Sequence, residues 1–275
     1  MTYKTLVLPG NGIKGIYTLG ALECLGKHGY LDEIENYIAV SSGSIIASLL
    51  IMGLRPIEIL ARVLSKSIFK KVGRVSVSNI AGGSSVFNFD PIEHELEVIF
   101  KDYIGIVPTL AEFYEKTDRT FICLGYDATN HKTIYFSKDT YPDIPIITAI
   151  RASCAFPLLF EPVILNDNLI VDGGVGCNYP LNWAIANYPG SVLSIYIDAK
   201  IRPIDVTTTR LTTLKELLTL IATKPDLTEM EKCGKTATIF KIMLDKVNFF
   251  DFSLPDRSYI DQFDEGYHLC SLNFK

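Results

Sequence analysis

The first 55 residues alternate between short apolar runs and helical patterns, and this order limits the possible folds more than any other feature of the chain. The run from Lys4 to Leu8 has the length and apolar character of a buried parallel strand. A helical pattern with apolar residues at spacings of three follows and stops near Gly29. Tyr37 to Val40 indicates a second strand, and Gly43 to Met52 indicates an apolar helix. This strand–helix–strand–helix order predicts a parallel sheet with a right-handed crossover.

The rest of the chain carries further elements of both kinds, separated by less regular stretches. The patterns predict helices starting at Asp90-Pro91 and at Thr109, strands at Thr120–Tyr126 and Thr133–Phe136, a helix over Ile144–Ala152, a hairpin over Val163–Val171 that turns at Asp167-Asn168, a strand at Val192–Ile197 and a helix with an apolar stripe from Leu214 to Ile221. The last 30 residues give no clear pattern. Neither a repeat nor a linker is visible, so we expect one domain over residues 1–275.

Composition excludes several classes of protein. Of the 275 residues, 48% are hydrophobic and 21% are charged, which is enough to fill a core and is unlike a disordered chain. The net charge of -5 is unlike a general nucleic-acid-binding protein, because neutralising phosphates requires a basic surface. The six cysteines and four histidines are scattered, so neither a disulfide framework nor a zinc site is indicated. We therefore expect no metal or other cofactor, and we expect the cysteines to be small core residues.

The N-terminal region shows no charged segment followed by a long apolar one, as a signal peptide would. The most apolar helical stretch, Ser44 to Met52, is far shorter than the roughly 20 residues that span a bilayer. These patterns predict a cytoplasmic protein that is at most peripheral to membranes.

A glycine-rich loop follows the first predicted strand: Gly10, Asn11, Gly12, Ile13, Lys14 and Gly15 match the pattern G-x-G-x-x-G. Such a loop exposes backbone N–H groups beside a helix start and stabilises negative charge, either of a dinucleotide or of a reaction oxyanion. A dinucleotide site usually has an acidic residue at the end of the next strand, and here that strand ends in Ser41-Ser42-Gly43. This difference disfavours the dinucleotide alternative.

The segment Ala39-Val40-Ser41-Ser42-Gly43 resembles a nucleophile elbow, in which a sharp turn between strand and helix exposes a serine. The usual pattern is G-x-S-x-G, with small neighbours because the turn is crowded, and Ala39 replaces the first glycine. Taken alone, the segment could equally be a serine-rich turn whose hydroxyls cap the helix. The pattern therefore makes Ser41 a candidate nucleophile and Ala39 and Gly43 its supporting turn residues.

A serine hydroxyl needs a general base to become a nucleophile at neutral pH. No histidine has a convincing loop context: His28 is expected at a helix end and His94 on a helix surface. The better candidate is Asp172, which follows an apolar run and precedes Gly173 and Gly174. An ordinary Asp-Gly turn is the alternative for this segment.

Together, these three segments resemble the patatin-like phospholipases. The resemblance implies a three-layer α/β/α sandwich with a mainly parallel sheet. It also implies a catalytic Ser–Asp dyad without histidine, in which Ser41 is the nucleophile, Asp172 is the base and the Gly10–Gly15 loop is the oxyanion hole. Ala152–Pro157 and Asn178-Tyr179-Pro180 are also similar to the family, and the likeness continues weakly into Phe252–Tyr267.

Two residues depart from the family pattern. Asn11 stands where the family usually has glycine, and we expect it to be tolerated because asparagine adopts positive φ more readily than other non-glycine residues. Ala39 is the smallest substitute for glycine. Lys14 is expected to support the loop and not to contact substrate.

The resemblance implies a phospholipase A-type acyl hydrolase acting on phospholipids, with transient contact to a membrane surface. The alternatives are a carboxylesterase or thioesterase of the same fold, a lipid-binding module with weak or no catalysis, and a nucleotide-dependent enzyme. Residues 65–74 mix four basic residues with Ile68 and Phe69, so this segment is either a membrane contact or a solvated loop. The Leu214–Ile221 stripe faces either lipid or the core.

Overall fold

The computed structural model describes residues 2–74, 85–188, 190–199, 237–244 and 251–274. Within these ranges the strands are β1 Thr5–Leu8, β2 Asn36–Val40, β3 Thr120–Asp127, β4 Lys132–Phe136, β5 Val163–Leu165, β6 Asn168–Asp172, β7 Val192–Ala199 and β8 Ala237–Leu244. The α-helices are α1 Gly15–Lys27, α2 Ser42–Ile51, α3 Pro56–Ser65, α4 Ile68–Val72, α5 Asp90–Ile104, α6 Leu110–Thr117, α7 Ile146–Ser153, α8 Gly174–Cys177, α9 Leu181–Asn187 and α10 Asp256–Ser271. Short 3-10 turns occupy Gly12–Lys14 and Leu272–Phe274.

The eight strands form one sheet in the order β5-β6-β3-β2-β1-β7-β8, with β4 paired to β3 outside this sequence. The pairs β1–β2, β1–β7, β2–β3 and β7–β8 are parallel, whereas the pairs that join β3 to β4, β3 to β6 and β5 to β6 are antiparallel. The central strands are therefore parallel, as the sequence predicts, and the antiparallel hairpins lie towards the β5 edge.

Alternate residues of the central strands point to opposite faces of the sheet, and each face is covered by helices. Leu6 and Leu8 of β1 belong to the larger apolar cluster, which includes residues of α1, α2, α3, α5 and α7. Val7 belongs to a smaller cluster with Leu181 and Ala184 of α9. Two helical layers thus enclose the sheet, and the predicted three-layer sandwich is confirmed.

Three predictions of secondary structure are wrong: the position of a hairpin turn, the N-cap of a helix, and the description of residues 65–74 as a loop. The hairpin turns at Asn166 and Asp167, one residue earlier than predicted, and both have positive φ (50° and 60°), as two-residue hairpin loops require. The N-cap of α5 is Phe89, and Asp90 lies in the first turn. Residues 65–74 are not a loop, because they contain the end of α3 and all of α4.

The C-terminal helix α10, which no sequence pattern marks, packs closely against α1. A Cβ added to Gly20 would lie 2.0 Å from the carbonyl oxygen of Phe263, and one added to Gly266 would lie 2.2 Å from that of Tyr17. These two glycines permit a backbone approach that any side chain would prevent. The predicted helix over Leu214–Ile221 lies outside the described residues.

Candidate active site

Ser41 occupies a strained turn between β2 and α2. Its φ of 53° and ψ of -128° are unfavourable for a residue with a side chain, and such backbone strain is concentrated at functional sites. A Cβ on Gly43 would lie 2.4 Å from the carbonyl oxygen of Leu8, so glycine is required two residues later. The Ser41 N–H donates to Ser153 Oγ at 2.9 Å. The predicted sharp turn is confirmed. The fully buried Ser153 holds the backbone of Ser41 in place.

Ala39 lies inside β2, where it is fully buried and pairs in register with Leu8 of β1 and Cys123 of β3. The strand accommodates its methyl group within the larger apolar cluster. The departure from glycine at this position is therefore compatible with the turn that follows.

Asp172 is the last residue of β6 and lies opposite Gly125 of β3. Its side chain is almost completely buried, at 1% exposure. Oδ1 accepts the N–H of Gly174 at 2.7 Å, and the Asp172 N–H donates to Ala155 O at 3.0 Å. Glycine is required next in the chain, because a Cβ on Gly173 would lie 2.3 Å from a β3 carbonyl oxygen.

Burial raises the pKa of Asp172 to about 7, because the charged carboxylate loses its solvation. The Ser41 hydroxyl and the Gly174 N–H both favour the charged form and limit this rise in pKa. The second oxygen, Oδ2, makes no hydrogen bond of regular geometry with any described residue. The Ser41 hydroxyl is thus close enough to affect the carboxylate, which keeps an oxygen free to accept a proton.

The glycine-rich loop contacts Ser41 and Asn178. A Cβ on Gly10 would lie 2.9 Å from Ser41 Cβ and 2.5 Å from Asn178 Oδ1. Asn178 Oδ1 accepts the Gly10 N–H at 3.1 Å, and Asn178 Nδ2 donates to Gly10 O at 3.0 Å. Asn178 thereby fixes the position of Gly10, the loop residue that lies against Ser41.

Two N–H groups of the loop remain available. The Asn11 N–H donates to Ser42 Oγ at 3.1 Å, while those of Lys14 and Gly15 bond to carbonyl groups within the loop. The N–H groups of Gly12 and Ile13 have no hydrogen-bond partner among the described residues. Of the six predicted oxyanion-hole residues, these two are the ones with free donors.

The conformational reason expected for Asn11 is wrong. Its φ is -131°, whereas the positive φ of the loop (50°) belongs to Gly12. The buried Asn11 side chain instead donates from Nδ2 to Thr18 Oγ1 at 3.3 Å, which joins the loop to α1. Asparagine is accommodated here by a polar contact and not by its tolerance of a left-handed backbone.

Lys14 is buried at 6% exposure, and its ammonium lies 5.3 Å from the centre of the Tyr17 ring. Burial lowers its pKa, while the negative charges of Asp251 and Glu265 act in the opposite direction. These contacts direct Lys14 towards the α10 side of the molecule, in agreement with a supporting role.

Cys154 is a buried thiol near the site and therefore a second candidate nucleophile. Its Sγ lies 3.9 Å from Ser44 Oγ, and burial together with the Asp172 charge raises the pKa of the thiol well above its ordinary value. The thiol therefore stays protonated at neutral pH and is a poor nucleophile. Cys24, Cys123 and Cys270 are also buried, Cys177 is half-buried, and Cys233 lies outside the described residues.

All four histidines are exposed. His28 caps the end of α1, where its ring stacks on Phe274, and His94 lies on the surface of α5 as predicted. Among the described residues, no histidine forms a hydrogen bond with Ser41. Within the described ranges, no group of three or more potential metal ligands occurs.

No single helix in the described part of the chain is long and apolar enough to cross a membrane. The pair α2 and α3 reaches the required length and composition together, with a bend of 116° between them.

Comparison with known proteins assigns the family. The model of the patatin-like phospholipase family matches residues 6–185. The chain belongs to this family. The matched region includes the glycine-rich loop, Ser41 and Asp172, as well as Ser153 and Asn178.

The chain is similar to several curated proteins. A protein of Invertebrate iridescent virus 6 described as "Probable lipid hydrolase 463L" is 33% identical over 189 residues, which cover 66% of this chain and 63% of that protein. An uncharacterized protein of Acanthamoeba polyphaga mimivirus, R571, is 29% identical over 187 residues, which cover 65% of this chain and 60% of that protein. The chain thus matches less than two thirds of the length of these relatives.

Solved structures of low sequence identity share the fold. VipD from Legionella pneumophila superposes with a TM-score of 0.59 at 16% identity, covering 98% of this chain and 66% of VipD. ExoU of Pseudomonas aeruginosa, solved in complex with SpcU, gives a TM-score of 0.53 at 14% identity, and the match covers 99% of this chain and 52% of ExoU.

Three residues that hold the site in place were not identified as site residues from the sequence. Ser153 and Asn178 lie within segments that resemble the family, but nothing in the sequence links them to particular backbone groups. Ser42 was singled out only as part of the elbow, and its contact with the Asn11 N–H depends on the folded turn. These contacts join residues that are 31 to 168 positions apart in the chain, so no local sequence pattern indicates them.

Proposed function

We propose that this protein is a phospholipase A-type lipid acyl hydrolase, with Ser41 as nucleophile and Asp172 as general base. The observation that carries the proposal is the strained Ser41 beside a buried Asp172 whose pKa of about 7 is affected by the Ser41 hydroxyl. A base with a pKa near the working pH is half ionised there and transfers protons efficiently in both directions.

The first half-reaction forms an acyl-enzyme. Ser41 Oγ attacks the carbonyl carbon of the ester while its proton passes to the Asp172 carboxylate. The carbonyl oxygen becomes an oxyanion, which the N–H groups of Gly12 and Ile13 stabilise. The tetrahedral intermediate then collapses, and the leaving alcohol, a lysophospholipid, takes the proton from Asp172.

The second half-reaction releases the acyl group as a carboxylic acid. Water attacks the Ser41 ester and gives a proton to Asp172, and the collapse of the second tetrahedral intermediate returns that proton to Ser41 Oγ. The same two N–H groups serve both steps, so neither a metal nor another cofactor is needed.

Two measurements test the proposal. An alkyl fluorophosphonate should label wild-type protein at Ser41, as detected by intact mass and peptide mapping, because such reagents react with activated serines. Hydrolysis of a defined phospholipid should yield a fatty acid and a lysophospholipid, and Ser41→Ala and Asp172→Asn should each lower kcat by at least about a thousandfold.

Ser48→Ala is a suitable control because Ser48 lies further along α2, where, among the described residues, its hydroxyl bonds only to the carbonyl of Ile45. It should retain wild-type rates. Full activity of Asp172→Asn would exclude the dyad. Hydrolysis of simple esters or thioesters without any phospholipid cleavage would favour the carboxylesterase or thioesterase alternative.

Access to a phospholipid further implies transient contact with a membrane surface. Ile68 and Phe69 do not support a contact through residues 65–74, because Ile68 is buried and Phe69 packs on Phe252 and Tyr259. Apolar side chains are exposed instead at Leu158 and at the paired Ile164 and Leu169.

We propose that the surface carrying the exposed side chains of Leu158, Ile164 and Leu169 is the membrane contact. Co-sedimentation of Ser41→Ala with anionic vesicles should weaken when Leu158 and Ile164 are changed to aspartate. Binding that is unchanged by these substitutions would move the contact elsewhere. The cytoplasmic location and the single domain remain predictions.

A further inference from the structure

An apolar cavity of about 100 Å³ lies next to the glycine-rich loop and to Ser42, which follows the proposed nucleophile in the chain. Gly12, Ile13 and Ser42 form part of its wall, so it adjoins both the free N–H groups of the loop and the start of α2. The rest of the wall comes from α1 to α5 and the α2–α3 connection, almost entirely through aliphatic side chains. Such a wall favours a hydrocarbon chain, because burial removes apolar surface from water.

The two charged side chains of this wall neutralise each other. Arg62 Nε lies 2.8 Å from Glu95 Oε1, and Arg62 Nη2 lies 3.4 Å from Asp102 Oδ2. A hydrocarbon in the cavity therefore meets no unpaired charge among the described residues.

Leu54, in the connection between α2 and α3, separates this cavity from a second one. The second cavity measures about 500 Å³ and is lined by residues of both charges, including Glu23, Lys27 and Arg55. Leu54 is the one residue found in the described walls of both cavities, and it is 3% exposed. Its side chain is thus positioned to limit the depth of the smaller cavity.

We propose that the smaller cavity receives the acyl chain of the substrate and that Leu54 limits the length of chain it accepts. The proposal rests on the hydrolase function proposed above. An apolar cavity of about 150 Å³ holds one benzene molecule, so this one holds roughly four carbons. Phospholipids and simple esters with short acyl chains, of about six carbons with roughly four in the cavity and two at the carbonyl end, are therefore preferred over those with longer chains.

The test is the chain-length dependence of kcat/KM for p-nitrophenyl butanoate, hexanoate, decanoate and hexadecanoate at one fixed detergent concentration. Excess methylene groups at a hydrophobic pocket reduce kcat/KM by about tenfold or more. Wild-type protein should therefore prefer hexanoate to hexadecanoate by at least about tenfold. Leu54→Ala should open the way into the second cavity and raise kcat/KM for hexadecanoate by about tenfold.

Two further variants make the test independent of the folding of Leu54→Ala. Ile45→Phe, at a half-buried wall position on α2, should narrow the cavity and shift the preference towards butanoate. Leu22→Ala removes the same atoms as Leu54→Ala from a fully buried residue that lines only the second cavity, and it should keep the wild-type profile.

The possible failures are distinguishable. If no ester is hydrolysed and Ser41 is not labelled by a fluorophosphonate, the hydrolase function itself is wrong. If wild-type protein is active but its profile favours hexadecanoate, or is unchanged in both Leu54→Ala and Ile45→Phe, the assignment of the cavity is overturned. Should Leu54→Ala not fold, Ile45→Phe alone decides.

Discussion

Asn178 forms two hydrogen bonds with the backbone of Gly10, one from its Nδ2 to the carbonyl oxygen and one from the N–H to its Oδ1. The two residues are separated by 168 positions in the chain. This pair joins the segment after Asp172 to the loop that carries the proposed oxyanion donors. Asn178 is thus a positioning residue, which acts through Gly10.

Asn178→Ala should lower kcat by about a hundredfold with little change in KM, because misplacing an oxyanion donor weakens binding of the transition state specifically. Steady-state kinetics on a short-chain ester measures both parameters. Asn187→Ala is the matched control, since the Asn187 side chain is exposed and its one hydrogen bond within the described part of the chain is to Trp183 O. A purely structural role would instead lower the melting temperature and the fraction of active protein while leaving kcat per labelled site intact.

Activity should rise with pH through about 7, because only ionised Asp172 accepts the Ser41 proton and its pKa is about 7. kcat/KM should fall tenfold for each pH unit well below this value and level off above it. The rate of fluorophosphonate labelling should follow the same curve. A profile that stays flat from pH 5 to pH 8 would exclude Asp172 as the base.

Asp172 should also make the fold less stable as pH rises. Its pKa is raised in the folded protein from 3.8 to about 7, so the folded state binds the proton more tightly than the unfolded state. Stability is therefore greatest below pH 4 for this group and decreases by about 1.4 kcal/mol per pH unit until about pH 7. Asp172→Asn lacks the ionisable carboxyl group, so this decrease in stability with rising pH should disappear.

Denaturant unfolding of both proteins at pH 5 and pH 8 measures the effect. The free energy of unfolding of Asp172→Asn minus that of the wild-type protein should be larger at pH 8 than at pH 5, by roughly 2 to 3 kcal/mol. An equal difference at both pH values would show that Asp172 has an ordinary pKa.

Ser41→Gly should be inactive and more stable than Ser41→Ala. The φ of 53° and ψ of -128° strain any residue with a Cβ, whereas glycine adopts them at little cost. Relief of this strain should add about 1 kcal/mol to the free energy of unfolding. Calorimetry of the two variants measures the difference, and equal stability would mean that the turn is relaxed.

Gly20→Ala should strongly destabilise the protein, because the added methyl group would lie 2.0 Å from the Phe263 carbonyl oxygen and force α10 away from α1. We expect a loss of about 3 kcal/mol or more. Gly26→Ala is a control within the same helix, since its Cβ would lie at an ordinary 3.6 Å from Leu31. That control should be neutral or stabilising by up to about 1 kcal/mol. Similar stability of both variants would contradict the close packing.

Local patterns in the sequence were enough to predict the central strands, the helices α1 and α2 and the two proposed catalytic residues. Apolar runs and helical spacings are local, and each was readable within ten to twenty residues. The serine and the aspartate were found because both lie directly after predicted strands, and the ends of parallel strands share one edge of a sheet.

The support of those residues depends on long-range packing that no local pattern encodes. The bonds of Ser153 to Ser41 and of Asn178 to Gly10 join segments more than 100 residues apart, so no local pattern could indicate them. The pKa of Asp172 depends on complete burial, which arises from packing and not from the residue itself. Likewise, the sequence suggested a positive φ at Asn11, whereas in the folded loop it belongs to Gly12 and the Asn11 side chain bonds to Thr18.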